Sequence, residues 1–192
     1  IGALTADSKG QDLAELYDMH QSGAIAFNDY QKPITNPNLL KLALEYTQSF
    51  GGIIMSFPIE TDLASKGMIN EGAVSVTLGL KGMPNISESL QISRDLEILK
   101  YAQGQLHIPT ISTKESVALI KKAKAEGLNV SCSVSINHLC LTDEMLHEFD
   151  TQYKILPPLR TEQDRQALIQ GLKDGTIDGV TSDHNPIDIE HK

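Results

Sequence analysis

Short apolar bursts of four to six residues alternate with longer amphipathic stretches along all 192 residues, without internal repeats or low-complexity linkers. Such alternation leaves few folds open, because each burst reads as a buried strand and each longer stretch as a helix returning the chain to the same sheet. The expected strands are Ala24–Phe27, Gly52–Ser56, Gln105–Ile108, Asn129–Val134 and Asp178–Thr181, with the residues before Thr5 as the end of another. Between them lie helices with their own start and stop signals. Asn36-Pro37 offers an N-cap with proline at the first helical position, Leu39, Leu40, Ala43 and Leu44 share one face, and Gly51-Gly52 stops the helix. Ser112 with Glu115 reads as a capping box for a helix ending at Gly127, and Thr161 opens a helix ending near Gly175.

Five or six such units fit either a doubly wound sheet or part of an eight-stranded barrel, which usually takes about 250 residues. No Gly-x-Gly-x-x-Gly turn follows an early strand, so the barrel is the better reading: an α/β chain forming a partial (β/α)8 TIM barrel, one domain over residues 1–192, incomplete at both ends. A barrel lacking strands has unpaired edges, which an associated remaining piece or a homo-oligomer would cover.

The formal net charge of -9 argues against nucleic acid as a partner, and Lys121-Lys122-Ala123-Lys124 reads as one solvated helix face. Only Cys132 and Cys140 occur, which supports neither a disulfide framework nor a zinc knuckle; a reducing compartment fits, with both thiols buried as small hydrophobes. No apolar run approaches about 18 residues and no basic-then-apolar leader opens the chain, so membrane insertion is disfavoured and the cytoplasm is the expected location.

In a parallel barrel the chemistry sits at the carboxyl ends of the strands. Those ends offer Asn28-Asp29-Tyr30, Phe57-Pro58, Pro109-Thr110, Ile136-Asn137-His138 and Asp183-His184. A hydrolytic metal site needs about three converging protein ligands, which Asp29, His138 and Asp183 could supply if all faced inward. Each has a plainer reading: Asp29 can cap a turn before Pro33, His138 can be a loop residue, and Asp183 can bond loop amides. Side-chain alternation sets His107 and Thr110 on opposite sides, so a Thr110 inside the barrel puts His107 against the helices. His20, His147 and His191 stand in polar contexts and are expected to be exposed.

Seven segments in register resemble the dihydroorotases of the amidohydrolase superfamily of metal-dependent barrels. They are Gly2-Ala3-Leu4-Thr5, Ala24 to Pro33, Gly67-Met68-Ile69-Asn70-Glu71-Gly72, Leu78 to Pro84, Ser112-Thr113 with Leu141-Thr142-Asp143-Glu144, Pro157-Pro158-Leu159-Arg160, and Asp174 to Pro186. The resemblance implies the reversible, metal-assisted cyclisation of N-carbamoyl-aspartate to dihydroorotate in pyrimidine synthesis. It also implies zinc, with Asp183 as the catalytic proton carrier and Arg160 and His184 at the substrate. Several chemical positions depart from the family pattern. The first-strand His-x-His pair has no counterpart; Phe57 and Thr110 stand where metal-binding histidines are expected; Tyr30 replaces the second of two acidic residues; Leu156 replaces a substrate-binding Asn; Ile187 replaces a His. A fold kept after its metal site is lost would show this pattern, and some dihydroorotase families include inactive members that act as scaffolds for aspartate transcarbamoylase.

Overall fold

The computed structural model describes residues 1–185. In chain order the elements are α1 (Leu16–Gln21), β1 (Ala26–Phe27), α2 (Pro37–Thr47), β2 (Ile53–Met55), α3 (Thr61–Ala64), β3 (Ile69–Asn70), α4 (Ala73–Leu78), β4 (Gly82–Met83), α5 (Ile86–Ala102), β5 (Leu106–Ile108), α6 (Lys114–Ala125), β6 (Val130–Ser135), α7 (Ile136–Cys140), α8 (Glu162–Lys173) and β7 (Gly179–Thr181). All five expected strands form, each within a residue or two of the predicted bounds. Gly2 adds a parallel bridge to Phe27, so the residues before Thr5 do lie beside the sheet.

The main sheet is parallel, in the order β1-β2-β5-β6-β7. Strand order therefore follows chain order without reversal, as in a barrel wall and unlike a doubly wound sheet, whose order turns back at a switch point. The helices agree. Leu40 and Leu44 of α2, Ile92 and Leu99 of α5, Ile120 of α6 and Leu168 of α8 form one buried core with Ile54, Leu106, Ile108, Val130, Cys132 and Val134 of the strands. Every one of these helices thus packs on the same sheet face. The opposite face carries Ile53, Met55, His107, Ser131 and Ser133, none of them fully buried. Burying a branched aliphatic side chain contributes roughly 1.5–3 kcal/mol, so the helix-facing layer supplies most of the driving force.

Local signals account for the helix starts. The Asn36 side chain accepts from the backbone N–H of Asn38 at 3.0 Å, and Pro37 occupies the first turn. Thr161 and Asp164 form a reciprocal capping box at the start of α8. The Ser112–Glu115 box does not form. The N-cap of α6 is Thr113, whose hydroxyl accepts from the Ser116 N–H at 3.2 Å, because Ser112 is engaged elsewhere.

Between β2 and α5 the chain makes an excursion that the strand–helix alternation did not foretell. There β3 and β4 form a separate parallel pair, placing Asn70 and Met83 beside each other. This excursion carries the residues that hold Arg160. Two smaller expectations are also corrected. Cys140, at the end of α7, is exposed while Cys132 is buried. His20 is half-buried against Phe50, with ring centroids 4.7 Å apart, and its Nδ1 lies 3.0 Å from the Ala24 carbonyl; His147 is exposed as expected. His191 and Ile187 lie outside the described residues.

Candidate functional site at the strand ends

A cavity of about 370 Å³ opens beside the carboxyl ends of the strands, lined by Gln31 after β1, Lys66 to Met68 after α3, Asn137 after β6, Lys154 to Leu156, and Asp183 and Asn185 after β7. Asp183 is the one residue of the expected catalytic and metal set that lines it. The Tyr30 hydroxyl stands 3.4 Å from Asp183 Oδ1, and the Asp183 N–H donates to the Thr181 hydroxyl at 3.1 Å. Burial raises the Asp183 carboxyl above the ordinary carboxylate range, against the lowering effect of the Tyr30 hydroxyl. His184 is exposed and does not line the cavity.

The other members of the set are held elsewhere. Asp29 is buried, with Oδ1 accepting from the N–H groups of Leu4 and Thr5 at 3.0 and 3.1 Å and Oδ2 accepting from the Thr5 hydroxyl. Both oxygens are thus engaged in tethering the first residues to the end of β1, not in capping a turn before Pro33. His138 lies within α7, not in a loop, and is buried with Nε2 3.2 Å from the Pro158 carbonyl. Among the described residues no three His, Cys, Asp or Glu side chains converge as a metal would need.

Arg160 points into a buried polar network. Its Nη1 donates to Asn70 Oδ1 at 2.9 Å and to the Met83 carbonyl at 2.7 Å, and its Nε donates to the Ser112 hydroxyl at 3.1 Å. Asn70 in turn donates to Asp143 at 2.7 Å. Glu88, wholly buried, accepts from the N–H groups of Ser112 and Thr113 and from both their hydroxyls, with Arg160 Nη2 4.0 Å away. The guanidinium therefore ties β3, β4 and α5 to the start of α8 and is not on the cavity wall. Nothing in the sequence alone flagged Glu88, since a lone acidic residue between Ser87 and Ser89 reads as a solvated position.

The substituted positions show how the strand ends are filled. Phe57 is buried with Ile59, Ala64 and Met83, and Leu156 packs against the same group. Thr110 is buried at φ 52, a conformation that strains a β-branched residue, and its hydroxyl has no hydrogen-bond partner. Its unusual backbone also corrects the expectation for His107. Alternation holds only through Ile108; because Thr110 leaves the extended conformation, counting three residues back gives the wrong face. His107 lies opposite the helix layer, with Nδ1 2.8 Å from the Ser131 hydroxyl and Nε2 3.2 Å from that of Ser133.

Burial pushes the His107 and His138 imidazoles below their ordinary pKa. Each then binds a proton less readily in the folded chain than in the unfolded one, where the value is about 6.5. Their contribution to stability is complete above about pH 6.5 and falls as pH drops through that value toward the folded pKa. Urea midpoints at pH 7.5 and 5.5 are expected to show a smaller acid-side loss of stability in His107→Asn than in the parent protein; the same pH difference in both would contradict burial of the His107 ring.

Residues 1–116 match the sequence model of the family described as Dihydro-orotase-like. The chain belongs to the dihydroorotase-like family. It is 41% identical over 192 residues to a dihydroorotase of Acetivibrio thermocellus and 42% identical over 192 residues to one of Pelotomaculum thermopropionicum. In both cases all of this chain is covered but 45% of the relative, so it spans about half the length of these relatives. Among solved structures it resembles D-hydantoinase from Thermus sp., with a TM-score of 0.79 and 20% identity over 99% of this chain and 43% of that one. A second D-hydantoinase structure gives a TM-score of 0.77 over 99% of this chain and 43% of that one, at 20% identity. These likenesses carry the fold: the sheet is part of a TIM-barrel wall. No helix among the described residues is long and apolar enough to cross a membrane.

Proposed function

We propose that this chain is the barrel portion of a dihydroorotase homologue in pyrimidine synthesis that has given up metal-assisted cyclic amide hydrolysis. The observation that carries this reading is the apolar cluster that contains Phe57 and has Leu156 packed against it. Two positions that resemblance assigns to a metal-binding His and a substrate-binding Asn are joined in one apolar cluster. Neither side chain offers a lone pair to zinc or a donor to a ring amide. Thr110, at a second expected histidine position, carries a hydroxyl in place of an imidazole, and Asp29 has both oxygens occupied. The residues present therefore do not fit the zinc that the family implies, and no catalytic step is derived through it. Asp183 lines the strand-end cavity and burial raises its carboxyl, which supports a proton-carrying role for it in the ancestral reaction.

On this reading the full protein works in the cytoplasm by binding, as a scaffold for aspartate transcarbamoylase or as an oligomer whose cavity holds a small ligand. Elemental analysis of the full-length protein, paired with dihydroorotate hydrolysis in added zinc, tests it. Far less than one metal per chain and no turnover are expected. Near-stoichiometric metal with turnover would overturn the reading and return dihydroorotate and N-carbamoyl-aspartate to the site as substrates.

A further inference from the structure

The lysines of this acidic chain are mostly neutralised. Those at positions 9, 41, 100, 114, 121, 122 and 124 each reach a carboxylate within 4.0 Å. Lys32 and Lys81 instead donate to oxygens of serines. Lys66, Lys154 and Lys173 do neither among the described residues, and of these Lys66 and Lys154 come from segments far apart in sequence to line the same strand-end cavity. Among the described residues the only carboxylate in that lining is Asp183, so the described lining carries one more positive than negative charge.

The rest of the lining narrows the occupant. Gln31, Asn137 and Asn185 supply carboxamides that can donate or accept, while Met68, Ile155 and Leu156 give an apolar wall. A bare inorganic anion would leave that wall unused, whereas a small organic acid would meet both kinds of surface. At about 370 Å³ the cavity is within the usual small-molecule range of about 300–1,000 Å³. Its shape is set by ordered turns: Gln31, Ser65 beside Lys66, and Asp183 are non-glycine residues held at φ 54, 49 and 44. Strained backbone of this kind persists where the surrounding structure dictates it, and it tends to collect at ligand sites.

We infer that Lys66 and Lys154 form an anion-holding pair, so that this cavity binds a small organic carboxylate without a metal. The inference rests on the metal-free reading above and adds to it the residues that replace metal as the positive partner. A charge-assisted contact is roughly twice as strong as a neutral hydrogen bond, so each lysine should contribute measurably to affinity.

Calorimetric titration of the chelator-treated full-length protein, with succinate and inorganic phosphate as separate probes, tests the pair. Saturable succinate binding is expected, weakened at least about tenfold in Lys66→Gln and in Lys154→Gln, a factor equivalent to about 1.4 kcal/mol. Lys66→Arg should keep most of the affinity. Lys173→Gln, which removes an α8 lysine outside the cavity, should leave binding unchanged. Absence of saturable binding, or an affinity in either glutamine variant equal to that of the parent protein, would overturn the inference, and phosphate binding tighter than succinate would overturn its carboxylate assignment. Metal analysis of the untreated protein separates the two readings. Lysine-dependent binding that survives chelation of a metal-bearing protein would leave the pair standing while the metal-free reading falls; no metal and no binding would do the reverse.

Discussion

Replacing Arg160 with Met is expected to lower the stability of the full-length protein by about 3–5 kcal/mol, the range found when one partner of a buried ion pair is removed. Arg160 is only 3% exposed and Glu88 is 0% exposed. Without Arg160 the Glu88 charge keeps the amides and hydroxyls of Ser112 and Thr113 but loses its positive neighbour, while Asn70 Oδ1 loses its donor and the Met83 carbonyl keeps only the Glu71 N–H at 3.2 Å. An unpartnered buried acceptor costs about 1–3 kcal/mol by itself. Glu88→Gln added to Arg160→Met should recover part of the loss, since the carboxamide removes the charge but keeps an acceptor for the two amides. Urea midpoints of the single and double variants decide the matter. A loss below about 1 kcal/mol for Arg160→Met would mean that the network is hydrated and that burial of its charges costs little.

The second large effect is expected at Phe57. Truncation to Ala should cost about 3–5 kcal/mol, as for other buried phenylalanines, because Ile59, Ala64 and Met83 cannot close over the space. Leu156 is only partly buried against the same group, so Leu156→Ala should cost less. The informative quantity is the coupling. If the two side chains share one cluster, the double variant should depart from the sum of the singles by about 0.5–3 kcal/mol. Strict additivity would separate them and remove the packing argument for a filled metal position.

How much of this was legible before the structure depends on which face a residue serves. Helices α2, α6 and α8 announce themselves through their capping residues and through apolar residues such as Leu40, Leu44, Val117, Ile120 and Leu168 on their buried sides, and the strands because their apolar runs are short and bounded by turn residues. The longest helix, α5, was not among the expected helices. Its buried side includes Ser87, Glu88, Gln91 and Asp95 beside Ile92, Leu96 and Leu99, so polar residues interrupt the apolar stripe that marks an amphipathic helix. Three of these polar groups have tertiary partners that sequence spacing does not reveal: Asp95 accepts from the Ser56 hydroxyl at 2.6 Å, Gln91 donates to the Ile34 carbonyl at 3.4 Å, and Glu88 faces Arg160. Burial raises the Asp95 carboxyl above its ordinary range, with Arg94 and Ser56 acting against that rise.

The candidate site was legible in identity more than in geometry. Reading the strand ends picked out Asp183, which does line the cavity, and the family pattern picked out Phe57 and Leu156 as departures. That both belong to one apolar cluster is a fact of three dimensions, as is the engagement of both Asp29 oxygens by Leu4 and Thr5. The lysine pair was invisible for the same reason. Lys66 follows a one-turn helix and Lys154 precedes a proline pair, and neither sequence context hints at the other.

The Arg160 network also bears on the order in which the chain can reach its final state. Neighbouring strands of the sheet are brought together over a few tens of residues, and each pairing can form as soon as its intervening helix has collapsed. The bond from Arg160 to Asn70 spans 90 positions. Contacts of such long range carry a larger loop-closure cost and arrive late. Glu88 can gather the Ser112 and Thr113 amides 24 and 25 positions away before then, but its charge stays unmatched. A growing chain therefore carries an unneutralised carboxylate through most of its assembly, and the arrival of one guanidinium acts as the latch that fixes the β3–β4 excursion against the barrel wall.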